Sequence, residues 1–361
     1  MRFIDQIKNT ARPFLIAGPC SAESEEQVHD ACAQVATNAN VKVLRAGIWK
    51  PRTRPNSFEG LGEVALPWLV DAGRKNDLPV TTEVANAKHV EAALKAGVDV
   101  LWIGARTTVN PFAVQEIADA LNGVKIPVMV KNPINPDLML WIGAFERLNK
   151  SGIDDLVAIH RGFSIYNHPK YRNIPNWEIP IALKEEFPDI PLICDPSHIS
   201  GKREGLLEVA QKAMDLNFDG LMIESHPHPD KALSDPKQQI TAYQLAKLMG
   251  EITLRKEAIP EDEKGYIELM RDKIGTLDDK LFSLLSERMK LAEEVGIYKR
   301  ENDITILQQE HWKKVIQYRM GTSDELKLTN KFVRSVMDAI HQESIRHQTK
   351  VMNPEFMNSK T

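Results

Sequence analysis

Short apolar runs alternate with amphipathic stretches along roughly the first 250 residues of the chain. The runs are rich in β-branched residues, and polar residues lie at or just after their ends. In the stretches between them, such as Pro111–Leu121 and Leu206–Leu216, apolar residues recur at the spacing of one helix face. The runs are Phe14–Ala17, Val41–Ala46, Pro79–Val84, Val100–Gly104, Val128–Lys131, Leu156–His160, Leu192–Asp195 and Leu221–Glu224.

Eight strand–helix units over this length predict a (β/α)8 barrel of the TIM type. Parallel strands need a crossover connection, and strands that are buried on both faces are almost continuously apolar. A doubly wound open sheet is the alternative. Because potentially reactive polar residues follow essentially every strand, rather than only those at one switch point, the pattern favours the barrel.

The pattern changes after Gly250. Arg255–Gly265 is charged, contains a proline and has no apolar period, which predicts a linker. Helix formers dominate from there on, and no strand pattern appears. The predicted helices cover Tyr266–Lys299, Gln308–Met320 and Asp324–Val351. The expected domains are a barrel over 1–254, a linker over 255–265, an all-α domain over 266–353 and a tail over 354–361.

Composition narrows the class of protein. A chain of 361 residues with 42% hydrophobic and 27% charged residues is globular and long enough for two domains. A net charge of −4 gives no basic surface for nucleic acid, and no apolar run resembles a signal peptide or a membrane span. Three cysteines without framework spacing are typical of a reducing compartment, so we expect a cytoplasmic protein.

A cysteine follows the first predicted strand, in Gly18-Pro19-Cys20-Ser21. Catalytic groups of a TIM barrel collect at the carboxyl ends of its strands, so Cys20 faces the barrel mouth. Free cysteine also packs as a small hydrophobic side chain, and for Cys20 alone that structural role is the alternative.

Three further side chains favour a metal site. His198 follows the seventh strand, Glu224 ends the eighth, and Asp235 lies in the loop beyond it. Strands 7, 8 and 1 are neighbours in a closed barrel, so these groups converge with the cysteine. One thiolate, one imidazole and two carboxylates suit Mn, Fe, Co or Zn and leave a position for a substrate oxygen. His226 and His228 are nearby competitors.

Cations also gather at the carboxyl ends of consecutive strands. They are Arg45, Lys50, Arg52, Arg106, Lys131 and Arg161. Guanidinium groups bind phosphate and carboxylate through two parallel hydrogen bonds, so this set suits a substrate that carries both anions. A solvated rim is the alternative, but six cations at one end of a barrel favour an anion site.

Several motifs together resemble 3-deoxy-D-arabino-heptulosonate 7-phosphate (DAHP) synthase of the short type I-beta kind, over roughly residues 12–250. Besides Gly18 to Ser21, they are Lys50-Pro51-Arg52-Thr53, Ser57-Phe58-Glu59-Gly60-Leu61-Gly62, Ile103-Gly104-Ala105-Arg106, Asp195-Pro196-Ser197-His198 and Leu233-Ser234-Asp235. The resemblance implies a barrel that condenses phosphoenolpyruvate with erythrose 4-phosphate. It implies one divalent metal ion, with manganese expected first and Co, Fe or Zn as alternatives, and no organic cofactor.

Residue roles follow from the resemblance. The implied metal ligands are Cys20, His198, Glu224 and Asp235. The implied phosphoenolpyruvate ligands are Arg45, Lys50, Arg106, Lys131 and Arg161. Arg52 and Thr53 would contact the sugar phosphate, with Asp195 near its hydroxyls. We interpret Lys50 as the proton donor to the new alkoxide. We interpret Glu83, at the end of the third strand, as the group that positions the attacking water.

A sibling enzyme shares the barrel and the enolpyruvyl donor: 3-deoxy-manno-octulosonate 8-phosphate synthase. That enzyme usually carries an asparagine and no proline before the equivalent arginine. Lys50-Pro51-Arg52-Thr53 therefore favours the DAHP enzyme, and so does the fused helical domain.

The first helix of that domain carries an apolar seam with one charge. Ile274, Leu281, Arg288 and Val295 recur every seven residues, and Leu277, Leu284, Leu291 and Tyr298 lie between them. A charge on such a seam is unfavourable unless it is paired, so an internal pair with glutamate or an oligomer-specifying role is the alternative to a binding site. Lys299 lies about 20° around the helix from Arg288, whereas Arg271 lies about 100° away and could reach the pocket of a partner chain.

This arrangement resembles the all-helical class of chorismate mutase over about Tyr266–Met352. The resemblance implies an intertwined homodimer, or a higher homo-oligomer, in which one arginine comes from the second subunit. The implied pocket residues are Arg271, Arg288, Lys299, Gln308, Ser344 and Gln348, with Arg288 and Lys299 catalytic. Three positions depart from the family pattern. Gln308 replaces an aspartate, His311 an arginine and Trp312 a glutamate, which weakens hydroxyl and carboxylate recognition.

Two functions are thus expected in one chain: synthesis of DAHP, and rearrangement of chorismate to prephenate. The helical domain is also expected to mediate feedback control of the barrel. The alternatives for that domain are a non-catalytic chorismate or prephenate sensor, and a dimerisation device. Arg288 and Lys299 on the seam argue against the latter.

Overall fold

A computed structural model of the chain describes residues 1–51, 57–256 and 259–354, without the side chain of Asp262. The chain divides into two compact units, Met1–Glu257 and Ala258–Thr361. None of the helices among the described residues is both long and apolar enough to cross a bilayer.

The first unit is built around parallel strands. In chain order the strands are β1 (Phe14–Gly18), β2 (Val43–Arg45), β3 (Val80–Val84), β4 (Val100–Ile103), β5 (Val128–Lys131), β6 (Leu156–His160), β7 (Phe163–Ser164), β8 (Asn173–Ile174), β9 (Leu192–Cys194) and β10 (Gly220–Glu224). Eight of them close a barrel in the order β1-β10-β9-β6-β5-β4-β3-β2, and β7 and β8 form a separate antiparallel hairpin. The predicted (β/α)8 barrel is confirmed.

Helices precede, connect and follow the barrel strands. They are α1 (Phe3–Asn9), α2 (Glu25–Asn38), α3 (Leu66–Lys75), α4 (Ala87–Ala96), α5 (Ala105–Thr108), α6 (Pro111–Ala120), α7 (Leu138–Lys150), α8 (Glu178–Glu186), α9 (Pro196–Ser200), α10 (Leu206–Asp215) and α11 (Ala242–Glu251). One apolar core lies between strands and helices, and a second fills the barrel interior. Strand residues that face both cores explain why the strands are apolar throughout.

Helix α1 packs against the barrel interior at the amino ends of the strands. Phe3, Ile4 and Ile7 are buried there, and the Phe3 ring meets Phe14 edge-on at 5.6 Å. The Asp155 carboxylate accepts hydrogen bonds from the backbone N–H groups of Phe3 (2.6 Å) and Ile4 (2.9 Å). These donors belong to the first helical turn and have no partner within the helix, so the carboxylate acts as a cap from elsewhere in the chain.

The second unit is all helical, as predicted: α12 (Glu261–Glu301), α13 (Gln309–Gly321) and α14 (Asn330–Met352). Helix α12 begins five residues before the predicted Tyr266, inside the predicted linker, because Pro260 precedes it in the extended conformation that suits a helix start. Helix α14 begins later than the predicted Asp324. Turn residues intervene, and the Thr329 side chain caps the helix by accepting from Phe332 N–H.

Helix α12 is much longer than its neighbours. Its 41 residues span about 61 Å, against about 34 Å for the 23 residues of α14. At its C-terminal end the two helices approach closely at Gly296, where a Cβ atom would lie 2.6 Å from Val351 Cγ2 and 3.0 Å from Gln348 Cα. The predicted seam of α12 starts at Ile274, and apolar side chains along it are exposed, for example Leu277 at 63% and Leu284 at 63%.

The α1 cap gives a stability prediction. Replacing Asp155 by alanine leaves two backbone donors without their acceptor, so we expect the free energy of unfolding of the barrel unit to fall by about 1 to 2 kcal/mol. Asp154→Ala is the matched control, because that neighbour is exposed. Urea unfolding followed by tryptophan fluorescence measures the effect, since five of the six tryptophans precede residue 257. Equal midpoints for the two variants would contradict the capping role.

Candidate active sites

The carboxyl end of β1 brings a thiol to the barrel mouth. Gly18 lies opposite Glu224 in the β1–β10 register. Its φ of 149° favours glycine, and a Cβ atom there would lie 2.1 Å from the carbonyl oxygen of Arg45. Only glycine therefore lets β1 pass β2 at this point. The chain then turns through Pro19 and places Cys20, which is fully buried, beside the end of β10.

The four predicted metal ligands meet at this mouth in two close pairs. Cys20 Sγ lies 3.5 Å from Asp235 Oδ2, and His198 Nε2 lies 3.7 Å from Glu224 Oε1. Donors that share one ion at about 2.0 to 2.3 Å lie about 3 to 4 Å apart, so each pair has ligand spacing. Among the described residues, no three such side chains already surround one point.

The chemistry of the donors fits a divalent ion. Glu224 Oε1 is buried and accepts no hydrogen bond from the residues that the structure describes, although Arg45 Nη2 lies 3.3 Å away. Burial, and then the Glu224 charge, raise the pKa of Cys20 to about 12. Burial also lowers the pKa of His198, against the opposing effect of Asp195. The imidazole is therefore neutral at neutral pH, as a ligand must be, and the thiol would lose its proton on binding.

Four of the predicted cations are buried at the same mouth: Arg45, Lys50, Lys131 and Arg161. Lys131 Nζ lies 2.7 Å from Asp195 Oδ2. Lys50 Nζ lies 3.1 Å from Cys20 Sγ and donates to the Cys20 carbonyl oxygen at 3.0 Å. Buried charges are costly unless they are paired, and most of these cations have a partner.

Arg161 forms hydrogen bonds with neutral groups, and its charge points to a ligand. Its Nη1 donates to the neutral Asn173 side chain at 2.8 Å. Burial lowers its pKa to about 10; Asp195 opposes this, while nearby Arg172 and Arg106 lower it further. Positive charge is thus in excess around Arg161, and an anion bound there would relieve it.

Asp195 has a contact that sequence reasoning missed. Its Oδ2 lies 2.8 Å from His198 Nδ1, and Oδ1 caps α9 by accepting from His198 N–H at 3.1 Å. Burial alone would raise the pKa of Asp195, but His198 and Lys131 hold it well below its usual value. An ionised carboxylate that fixes the ring of a metal-binding histidine is common in metal sites. The i, i+3 spacing on a short helix was the available signal.

Lys50 and Glu83 line one cavity of about 280 Å³ beside the mouth. Trp49 and His89, which also line it, stack at 4.0 Å with nearly parallel rings. Glu83 Oε2 accepts from the indole N–H of Trp102 at 3.2 Å. The structure thus brings together the two side chains assigned to proton transfer and water placement. Arg52 and Thr53 lie outside the described residues.

Trp102 is a further residue that sequence reasoning missed. The guanidinium of Arg45 lies 4.8 Å from its ring centroid and Lys131 Nζ lies 5.7 Å away. An aromatic face within about 6 Å attracts a cation. The Trp102 ring therefore packs against both cations. In the sequence, Trp102 could not be distinguished from an ordinary apolar strand residue.

The helical unit holds a second cavity, of about 360 Å³, between its three helices. Five of the predicted pocket residues line it: Arg288, Lys299, Gln308, Ser344 and Gln348. Arg288 Nη1 donates to Ser344 Oγ at 2.5 Å, and Lys299 Nζ donates to Gln348 Oε1 at 3.0 Å. Burial lowers the pKa of both cations, and neighbouring Arg319 lowers that of Arg288 further.

The positions that depart from the family pattern line this cavity as well. His311 and Trp312 belong to its wall, and the Trp312 ring stacks on His341 at 3.8 Å. Sequence reasoning missed His341. No aspartate or glutamate is among the lining residues, so the cavity suits an anion. The sixth predicted residue, Arg271, does not line it and is exposed on α12.

Both motif resemblances are confirmed by family models. Residues 6–258 match the DAHP synthetase I family, and residues 270–349 match chorismate mutase type II. The two matches coincide with the barrel and with the three-helix unit.

Individual relatives agree with the first match. A phospho-2-dehydro-3-deoxyheptonate aldolase of Thermotoga maritima is 31% identical over 245 residues, which cover 68% of this chain and 70% of that protein. A crystal structure of a phospho-2-dehydro-3-deoxyheptonate aldolase (DAHP synthase) from Thermotoga maritima superposes with a TM-score of 0.59 at 29% identity, covering 66% of this chain and 67% of that one. A 2-dehydro-3-deoxyphosphooctonate aldolase of Dechloromonas aromatica is 26% identical over 276 residues, covering 71% and 95% of the two chains.

The burial of the cysteines gives a prediction for thiol chemistry. Burial raises the pKa of Cys20 and Cys32 to about 12 and that of Cys194 well above its usual value. Because the thiolate is the reactive form, we expect no rapid reaction with Ellman's reagent at pH 8 in folded, chelator-treated protein, and three reactive thiols in denaturant. Rapid modification of the folded protein, mapped to Cys20 by mass spectrometry, would contradict the packing of the β1 end.

Proposed function

We propose that this chain, which belongs to the DAHP synthetase I family, is a bifunctional enzyme of the shikimate pathway. The barrel condenses phosphoenolpyruvate with erythrose 4-phosphate to DAHP and phosphate. The helical unit rearranges chorismate to prephenate. One observation carries the proposal for the barrel: four soft and charged donors and four buried cations meet at one barrel mouth.

The proposed metal ligands are Cys20, His198, Glu224 and Asp235. A divalent ion held there would supply Lewis-acid polarisation of the aldehyde oxygen. Manganese is our first candidate, because the two carboxylate donors suit it, and Co, Fe and Zn also fit a mixed sulfur, nitrogen and oxygen set. No organic cofactor is needed for this condensation.

The buried cations bind the anionic substrates. Lys131 and Arg161 hold phosphoenolpyruvate together with Arg45, Lys50 and Arg106, and the excess positive charge around Arg161 supports this assignment. Fixing the enolpyruvate in one orientation removes entropy from the reaction step. Arg52 and Thr53 take the sugar phosphate in this proposal, and Asp195 serves chiefly to orient His198 and Lys131.

Two residues serve proton transfer and the placement of water. Burial alone would lower the pKa of Lys50, but Cys20 and Glu224 raise it, so the side chain is an ammonium ion with a proton to give. It donates that proton to the new alkoxide. Glu83 lines the same cavity and positions the water that attacks C2 of the enolpyruvyl group.

The rearrangement in the helical unit is unimolecular and needs no metal. Arg288 and Lys299 converge on one cavity and bind the substrate carboxylates, with Lys299 against the ether oxygen. Holding the compact conformer and stabilising developing negative charge is sufficient for this class of reaction.

A second candidate function for the helical unit is a sensor that binds chorismate or prephenate and restrains the barrel. The neutral residues Gln308 and Trp312 in the cavity wall, together with His311, favour it over efficient catalysis. Feedback control by this unit is compatible with either function. An octulosonate 8-phosphate synthase is the alternative for the barrel, and the relative named for that activity shares the lower identity.

We also propose that a second copy of the chain covers the N-terminal part of α12. Its seam exposes Ile274 at 57%, Leu277 at 63% and Leu284 at 63%. Contiguous apolar surface of this kind marks an interaction site. Arg271 lies on the same exposed stretch, so in a dimer it can complete the partner's cavity.

Paired variants test the two activities. We expect Lys50→Met to lower the synthase turnover number by about 100-fold or more and to leave chorismate consumption unchanged. Lys299→Met should lower chorismate consumption by about 100-fold or more and leave the synthase intact. Lys125→Met, at an exposed site, is the matched control. Loss of phosphoenolpyruvate and of chorismate is followed by absorbance, before and after chelation and with each metal added back.

Each outcome has a distinct meaning. Chelation should abolish only the synthase activity, and persistence of that activity would refute the metal site. Near-normal turnover of Lys50→Met would refute its role as proton donor. Failure of the wild-type protein to consume chorismate at high enzyme concentration would leave the sensor as the function of the helical unit.

Mass measurement tests the second copy. We expect the wild-type protein to have about twice the chain mass of 40.7 kDa by light scattering, and Leu284→Asp to shift it toward the monomer, because a charge on a covered apolar seam is costly. Ser286→Asp is the control. Ser286 is exposed and lies about 200° around the helix from Leu284, away from the seam. A Leu284→Asp protein of unchanged mass would refute the covered seam.

A further inference from the structure

Two consecutive glutamines follow Asp235 and are almost completely buried. Gln238 is 1% exposed and Gln239 is fully buried. They lie in the loop that returns to the end of β10, where Ile240 N–H donates to the Glu224 carbonyl oxygen at 3.2 Å. Buried amide side chains are costly unless their donors and acceptors are used, so their partners are informative.

Gln238 joins a carboxylate to a guanidinium. Its Nε2 donates to Glu224 Oε2 at 2.6 Å, and its Oε1 accepts from Arg172 Nη1 at 2.7 Å. The orientation of the amide is fixed, because a guanidinium can only donate and an ionised carboxylate can only accept. A primary amide both donates and accepts without carrying a charge, and the length of glutamine spans this gap.

The same arginine holds the second carboxylate. Arg172 Nη1 also lies 3.0 Å from Asp235 Oδ1, as an ion pair. Arg172 and Gln238 therefore occupy one oxygen of each acidic ligand, Glu224 Oε2 and Asp235 Oδ1. The other oxygen of each carboxylate faces the remaining donors: Glu224 Oε1 lies 3.7 Å from His198 Nε2, and Asp235 Oδ2 lies 3.5 Å from Cys20 Sγ.

Gln239 differs from its neighbour, because the hydrogen bonds that its side chain forms with described residues are to backbone atoms. Its Oε1 accepts from Cys20 N–H at 2.9 Å and its Nε2 donates to the Ser234 carbonyl oxygen at 2.8 Å. It ties the β1 end to the loop of Asp235 but does not orient any donor atom. Gln238 and Arg172, rather than Gln239, thus determine which oxygen of Glu224 and of Asp235 faces the other donors.

We propose that Arg172 and Gln238 are positioning residues that make both acidic ligands bind the metal through one oxygen each. The inference rests on the proposed metal site and assigns neither residue to the metal itself. One-oxygen binding leaves coordination positions for a substrate oxygen, as Lewis-acid catalysis requires. Removing a group that orients a ligand typically weakens metal binding by about 10- to 100-fold.

The test measures metal binding with full-length, chelator-treated protein. Gln238→Met keeps the length of the side chain and loses both hydrogen bonds. We expect its dissociation constants for Mn²⁺ and Co²⁺ to rise by about 10- to 100-fold, and its Co²⁺ absorption spectrum to change as a released carboxylate binds through two oxygens. Gln34→Met, at an exposed site on α2, is the control and should match the wild type.

The variant Arg172→Lys tests whether the charge of this residue is sufficient or whether the shape of the guanidinium is needed. It keeps a cation near Asp235 but cannot reproduce the shared contact of Nη1, so weaker binding and an altered Co²⁺ spectrum are expected here too. If Gln238→Met loses the thermal transition of the barrel, Arg172→Lys decides in its place. Wild-type affinity and an unchanged spectrum in the folded variants would overturn the proposal. A wild-type protein that binds neither ion would instead overturn the metal site on which it rests.

Discussion

The parallel pairing of β1 with β10 is the constraint on which the barrel site depends. It runs over five residue pairs, from Phe14 opposite Gly220 to Gly18 opposite Glu224. In an open sheet these two strands could lie at opposite edges, and Cys20 would be far from Glu224. Closure instead makes the first and last strands neighbours, and the loop after β10 then reaches back to hold the Cys20 backbone through Gln239.

Charge is buried at this mouth to an extent that ordinary folding would not tolerate. Glu224 and Asp195 are fully buried, and so are the guanidinium of Arg45 and nearly all of Lys131. Each isolated charge would cost several kcal/mol, and the carboxylate–cation pairs offset part of that cost. Two features stand out among the described residues: the excess positive charge at Arg161, and a Glu224 oxygen that accepts no hydrogen bond although Arg45 lies 3.3 Å from it. Anionic substrates and a divalent cation are the ligands that would complete this pairing.

The helical unit is not built around a closed sheet but consists of three packed helices. Three helices of unequal length leave part of the apolar seam of α12 exposed, including Leu277, Leu281 and Leu284. The same helix places Arg288 and Lys299 where α13 and α14 meet it, and there the helices enclose a cavity. One helix therefore serves a binding pocket along one part of its length and offers an apolar surface along another.

The sequence alone determined the class of both units. Local patterns, namely apolar strand runs and helix periodicity, depend on neighbouring residues and could be read directly, and so could the residue types of Cys20, His198, Glu224 and Asp235 at strand ends. The gathering of Lys299, Ser344 and Gln348 around Arg288 also followed from motif likeness. The predicted starts of α12 and α14 were wrong, although local residues set both: Pro260 precedes α12, and the Thr329 side chain caps α14.

Only the tertiary structure decided which atoms of these residues face one another. Arg172 and Gln238 lie 66 positions apart, and nothing in their local sequence links them to Glu224. Asp195 pairs with Lys131 at the end of another strand, and Trp102 lies beneath Arg45, through contacts between different strands. Such contacts arise from barrel closure and packing, and these depend on the whole chain rather than on any one segment of it.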